Sequence, residues 1–184
     1  GAESRTPLLT LAEIVGLAES ASRVDPQTSK LDATEYFRIE DWTYAYGSHV
    51  AQVAVDPETG KVEILRYIVV EDLGRCINPM LAHGQSVGGA AQGIGGTILE
   101  ELVYSDDGQL LAGTFMDYVL PTSRDIPNIE SVILEDAPSP LNPLGVKGAG
   151  EGAILATGAV LANAVADALG IQMSSLPLSP NNLR

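Results

Sequence analysis

The feature that most limits the fold is a stretch that reads as a helix yet is full of glycine. Asp72-Leu73-Gly74-Arg75-Cys76-Ile77-Asn78-Pro79 breaks a strand, and a helix is expected from Pro79 to about Val103. It would carry Gly84, Gly88, Gly89, Gly93, Gly95 and Gly96. Each glycine inside a helix costs about 0.5–1 kcal/mol relative to alanine. So many on one helix need a reason, and close approach of another backbone or of a bulky ligand is the usual one.

The elements around it follow from local pattern. Thr10-Leu11-Ala12-Glu13 reads as a capping box opening a helix to about Ser22. Asp25–Ser29 reads as a loop, and Leu31–Tyr46 is rich in strand-favouring residues. His49–Asp56 and Lys61–Glu71 form a hairpin about the turn Asp56-Pro57-Glu58-Thr59-Gly60. The second strand ends in an unbroken apolar run, which suits burial on both faces. Leu110–Tyr118 is expected to be extended and Ile129–Glu135 to be a strand. Pro138, Pro140 and Pro143 make a rigid segment, after which Gly145–Gly152 leads into a helix to Leu169. The fold class is therefore α+β, with a mixed or antiparallel sheet and two main helices.

Composition closes off several functions. The 184 residues include 10 basic and 24 acidic ones, a formal net charge of −14 that repels phosphate backbones and anionic lipid. No nucleic-acid or membrane partner is expected. The longest uncharged stretch, Cys76–Leu99, holds Asn78, His83, Gln85, Gln92 and six glycines, which are poor lipid-facing content. The start, Gly1-Ala2-Glu3-Ser4, shows no signal peptide, and a cytoplasmic location is expected. One cysteine excludes a cluster with four cysteine ligands within the chain. His49 and His83 lack ligand-spaced partners, so both read as structural and no side-chain metal site is expected.

Three segments could carry chemistry. Gly145–Gly152 could cradle a phosphate or oxyanion, and it sets the carboxylate of Glu151 at a helix start. A plainer role for Glu151 is to satisfy the helix dipole. The lysine of this loop, Lys147, is followed by neither Ser nor Thr, so the loop is not a Walker A motif. In the glycine helix, Gln85 and Gln92 stand beside missing side chains, where an amide can bond a polar ligand. Tight helix packing explains the glycines equally well. Asp72 and Asn78 bracket a turn after a buried strand, either a ligand site or an ordinary Asx turn.

The three segments, in order, resemble a known family. They are Asp72-x-Gly74-Arg75-x-x-Asn78-Pro79, then Gly84-Gln85-x-x-Gly88-Gly89-x-x-Gln92-Gly93-Ile94-Gly95, then Pro140-x-Asn142-Pro143-x-Gly145-Val146-Lys147-Gly148-Ala149-Gly150-Glu151. Together they are similar to the C-terminal part of the molybdenum-binding large subunit of xanthine dehydrogenases, aldehyde oxidases and carbon monoxide dehydrogenases. The match is clear over 46–180 and weaker over 1–45 of this 1–184 region. The resemblance implies a fragment of a molybdopterin-binding domain, from an oxidoreductase that oxidatively hydroxylates an aldehyde, an N-heterocycle or a similar small substrate, or oxidises carbon monoxide. It implies Glu151 as the base beside molybdenum. It also implies Asp72, Gln85, Gln92, Lys147, Gly148, Ala149 and Gly150 as contacts to molybdopterin, in the cytosine dinucleotide form. Iron–sulfur and FAD groups would belong to partner subunits or domains, and the remaining large-subunit segments would complete the site. Without them the chain is expected to be inactive, with exposed apolar surface and a tendency to form homo-oligomers. Two other readings compete: a non-catalytic interaction module that keeps the fold, and a phosphate- or nucleotide-binding protein using Gly145–Gly152.

Overall fold

A computed structural model describes residues 9–24, 34–38 and 41–183. The chain divides into two compact units, Gly1–Glu40 and Asp41–Arg184. In the first, helix α1 spans Leu11–Val24. Its capping box forms as expected: Thr10 N–H and hydroxyl both donate to Glu13 Oε2 at 2.7 Å, and Glu13 N–H returns to the Thr10 hydroxyl at 3.3 Å. Leu11 and Leu17 on this helix are exposed. The expected loop at Asp25–Ser29 lies outside the described residues.

The second unit is built on a mixed three-stranded sheet, ordered β1 (Tyr46–Val55), β2 (Val62–Asp72), β3 (Ile129–Leu134). β1 and β2 are the expected antiparallel hairpin, and β3 joins β2 in parallel. The hairpin turn is fixed by Asp56, whose carboxylate accepts from the N–H groups of Glu58 and Thr59, and by Gly60 at φ +72°. One face of the sheet is covered by α2 (Pro79–Ile98) and by α3 (Gly152–Leu155) with α4 (Thr157–Leu169). Between them lie Tyr67, Val69, Ala90, Ile94, Ile129, Ala153, Leu161 and Val165. The opposite face, with Val50, Val132 and Leu134, is exposed.

Four local expectations are corrected. The glycine helix stops at Ile98, not Val103, because Leu99 and Glu100 both turn their N–H groups onto the Gly95 carbonyl at 2.9 Å. The last helix breaks at Ala156, where the Thr157 hydroxyl takes the Ala153 carbonyl at 2.9 Å. Residues Leu110–Tyr118 form no strand. After an isolated bridge between Tyr104 and Leu110, Thr114 and Asp117 close a turn through their side chains, and turn chemistry overrides strand propensity. Within Leu31–Tyr46, residues 34–38 and 41–45 have no regular structure, and Tyr36 and Trp42 are exposed, so strand propensity alone does not make a strand there.

The stretch Gly152–Leu169 is apolar and long enough to cross a membrane by composition alone. Here it is interrupted, and it buries Thr157, Leu161 and Val165 in the core.

Candidate functional site

The first and third sequence segments meet at the end of β2. Asp72, 1% exposed, accepts four hydrogen bonds. Gly74 N–H (2.9 Å) and Lys147 Nζ (3.0 Å) donate to Oδ1, and the N–H groups of Asp136 and Ala137 (3.0 Å each) donate to Oδ2. Lys147 Nζ also lies 4.3 Å from the centre of the Tyr46 ring. Backbone bonds from Lys147 to Leu73 and from Arg75 to Gly145 stitch the two segments together. A side chain on Gly74, at φ +64°, would collide with the Gly145 carbonyl, so the crossing requires glycine there. Burial pushes the Asp72 carboxyl up. The bonds from Gly74, Lys147 and Ala137, with the lysine charge, outweigh burial and hold it below the usual aspartate range. Asp72 and Lys147 are therefore engaged with each other inside the protein and tie the loop to the end of β2.

Beyond Lys147 the loop opens. The N–H groups of Gly148, Ala149 and Gly150 make no hydrogen bond among the described residues. Glu151 is exposed, at φ −126° and ψ 7°, just before the four-residue α3. Its carboxylate makes no capping bond and has no partner among the described residues. The helix-dipole role is accordingly a weak account of it.

The glycines of α2 fall into two sets. A Cβ on Gly89 would lie 3.2 Å from the Ala153 methyl, and one on Gly93 would lie 2.6 Å from the Thr157 hydroxyl; these two seat α2 against α3 and α4. Gly95 is covered by the Glu100 carboxylate and Pro121. Gly84, Gly88 and Gly96 have nothing within 4 Å of that position beyond their own stretch of helix. Gln85 and Gln92, two helical turns apart, share this open side. Both are exposed, and their amides have no partner among the described residues. The open side borders the loop: Gln85 Nε2 lies 3.9 Å from where a Gly150 Cβ would stand. The open side of α2, with its bare backbone and two free amides, thus meets at Gln85 the loop that carries three free N–H groups and leads to the free carboxylate of Glu151. Such a surface suits a flat, polar, hydrogen-bonding cofactor such as a pterin.

Sequence reasoning missed the polar groups beneath this surface. Glu71, 3% exposed, accepts a short hydrogen bond from Ser86 of α2. Tyr67 hydroxyl donates to Thr157 at 3.1 Å and meets His49 Nδ1 at 2.9 Å. Burial lowers the His49 pKa, against a smaller opposing pull from Glu71. His83 Nδ1 meets the Ser131 hydroxyl at 2.9 Å, so both histidines are bonded within the fold. The available signal was period two along β2, which sets Tyr67, Val69 and Glu71 on the side of the helices. No group of three His, Cys, Asp or Glu among the described residues is arranged to hold a metal.

Comparison with known proteins identifies the family. Residues 3–127 match the molybdopterin cofactor-binding domain family. The chain is 40% identical over 178 residues to the 6-hydroxypseudooxynicotine dehydrogenase complex subunit gamma of Paenarthrobacter nicotinovorans, covering 92% of this chain and 22% of that subunit. It is 33% identical over 138 residues to the carbon monoxide dehydrogenase large chain of Afipia carboxidovorans, covering 75% of this chain and 17% of that one. Among solved structures, quinoline 2-oxidoreductase from Pseudomonas putida 86 superposes with a TM-score of 0.86 at 40% identity, over 95% of this chain and 23% of that chain. The chain thus spans about a fifth of the length of these relatives.

Proposed function

This chain belongs to the molybdopterin cofactor-binding domain family, and we propose that it forms one wall of the cofactor site of a molybdenum hydroxylase, with Glu151 as the base. When bound, molybdenum–molybdopterin supplies the two-electron oxidation and the oxygen-transfer chemistry that side chains lack. The residues of this chain bind, orient and move a proton. Gln85 and Gln92 hydrogen-bond the polar edge of the cofactor. Gly84, Gly88 and Gly96 let it lie against the helix backbone, and the N–H groups of Gly148, Ala149 and Gly150 bond its oxygens. The cytosine dinucleotide form fits this extended run of donors. Asp72 and Lys147 keep the loop in register with α2.

Glu151 removes a proton as oxygen is delivered to an electrophilic carbon. The carrying observation is that its carboxylate is free of every partner among the described residues and that Glu151 follows Gly150, whose Cβ position lies 3.9 Å from Gln85 Nε2 on the open side of α2. An aromatic N-heterocycle is the favoured substrate class, since the two 40%-identical proteins are named for a nicotine derivative and for quinoline. Iron–sulfur and flavin groups that would take the electrons belong to partner subunits or domains outside this chain, since the single Cys76 cannot build a cluster. The nucleotide-binding alternative is disfavoured: the loop's one cation, Lys147, is already paired.

The test is Glu151→Gln in the assembled enzyme. Gln keeps size and hydrogen bonding but cannot take the proton. Molybdenum and pterin content should hold while turnover falls about 10²–10⁴-fold. Full turnover in the variant would overturn the assignment.

A further inference from the structure

We propose that Glu71 is a positioning residue, holding Gln85 and Glu151 on facing segments of the site; the role rests on the reading of that site given above. Glu71 is 3% exposed near the end of β2. One carboxylate oxygen, Oε2, accepts the short bond from Ser86, the residue after Gln85. The other, Oε1, faces Gly152, the residue after Glu151, and a Cβ there would come within 2.5 Å of it. Gly47, directly across the hairpin from Glu71, also lacks a side chain, and a Cβ there would press to 3.2 Å from the Glu71 Cγ. Gly152 therefore makes room for this side chain, while Gly47 is required first by the Val70 carbonyl of the paired strand.

Stability does not explain it. A buried carboxylate with one hydroxyl donor, and no Lys or Arg paired with it among the described residues, is less favourable than an apolar side chain of the same size. The adjacent Asp72 shows what a stabilising buried carboxylate looks like here, with four donors and a lysine. What Glu71 does reach are the Ser86 hydroxyl, beside Gln85, and the space left by the missing side chain of Gly152, beside Glu151. Misplacing a catalytic group by about 1 Å can cost about a hundredfold in rate.

The experiment compares Glu71→Ala, Glu71→Gln and Gly152→Ala in the assembled enzyme, with and without cofactor. Amide hydrogen exchange is followed over residues 81–90 and 150–156, alongside kcat and KM. In Glu71→Ala, both segments should exchange about tenfold faster or more, as expected for a lost buried hydrogen bond. Exchange in the hairpin should be unchanged, and kcat should fall with KM nearly constant. Glu71→Gln keeps the length and an oxygen for Ser86 and should restore exchange and kcat together. Gly152→Ala pushes the carboxylate aside from α3 and should loosen 81–90 on α2. Wild-type exchange in both segments of Glu71→Ala, or a Gln variant as impaired as the Ala one, would overturn the proposal. If Glu71→Ala does not fold, unchanged exchange over 81–90 in Gly152→Ala would overturn it. The exchange readout in the cofactor-free protein does not depend on Glu151 being the base, whereas full turnover in Glu151→Gln would sink that reading alone.

Discussion

Gly93 and Gly88 sit on the same helix and do opposite things. Gly93 is missing a side chain because Thr157 occupies its place, and the contact seats α2 on α4. Gly88 is missing one although nothing stands there. The first is explained by the fold. The second is a cost in helix propensity with no return inside the chain, which is what a surface shaped for something else looks like. The same division separates the two ends of the loop. Asp72 and Lys147 satisfy each other under it, while Glu151 at its far end satisfies nothing.

The largest expected effect tests the satisfied side. Asp72→Ala leaves the Lys147 ammonium, 7% exposed, without its partner, and breaking a buried pair in this way costs about 3–5 kcal/mol. Denaturant unfolding should show that loss, and adding Lys147→Met should recover most of it. If Lys147→Met alone lowered cofactor content with no stability cost from Asp72→Ala, both residues would belong to the open side. The pair also fixes a pH dependence. The folded Asp72 pKa lies below its ordinary value of 3.8. Its contribution is therefore fully present above pH 3.8 and is lost as pH falls through the lower folded value. Acid titration of wild type against the double variant should diverge only below that point.

Next comes Gly93→Ala. The new methyl would meet the buried Thr157 hydroxyl at 2.6 Å, and overpacking of this kind costs about 1–3 kcal/mol. Thermal unfolding should show a lowered Tm. An unchanged Tm would mean that α2 and α4 are not held by this contact, and the comparison would lose its packed half.

How much of this was written in the sequence depends on whether an interaction is local. The capping box at Thr10 and the Asp56 turn rest on neighbours a few residues apart, the hairpin pairing spreads from that turn, and all three stand as read. The break at Ala156 needed knowledge that Thr157 would be buried and would bond back to Ala153. At Leu110–Tyr118 strand propensity pointed one way and the Thr114–Asp117 side-chain bonds the other, and the side chains prevailed. For the site, the motifs named residues but not the direction each side chain takes. The pairing of Asp72 with Lys147 was not legible because the two lie 75 residues apart. Glu71 went unnoticed because nothing local marks it; only the return of α2 and Gly152 onto β2 gives it neighbours.

The smallest effect is the most discriminating, because its sign differs between two states of the protein. Gly88→Ala adds a methyl where nothing beyond its own stretch of helix lies within 4 Å. In the cofactor-free protein this replaces a poor helix former by the best one, so stability should rise by about 0.5–1 kcal/mol. Gly96 offers a second open position for the same substitution, near the end of the helix. If the open side receives the cofactor, the methyl at Gly88 stands in its place, and molybdenum content of the assembled enzyme should drop even as the empty protein melts higher. A rise in Tm with full molybdenum content would show that Gly88 faces nothing, and the open side of α2 would no longer mark a binding surface. A fall in Tm in the empty protein would show that the position is packed after all, and the division between Gly93 and Gly88 would collapse.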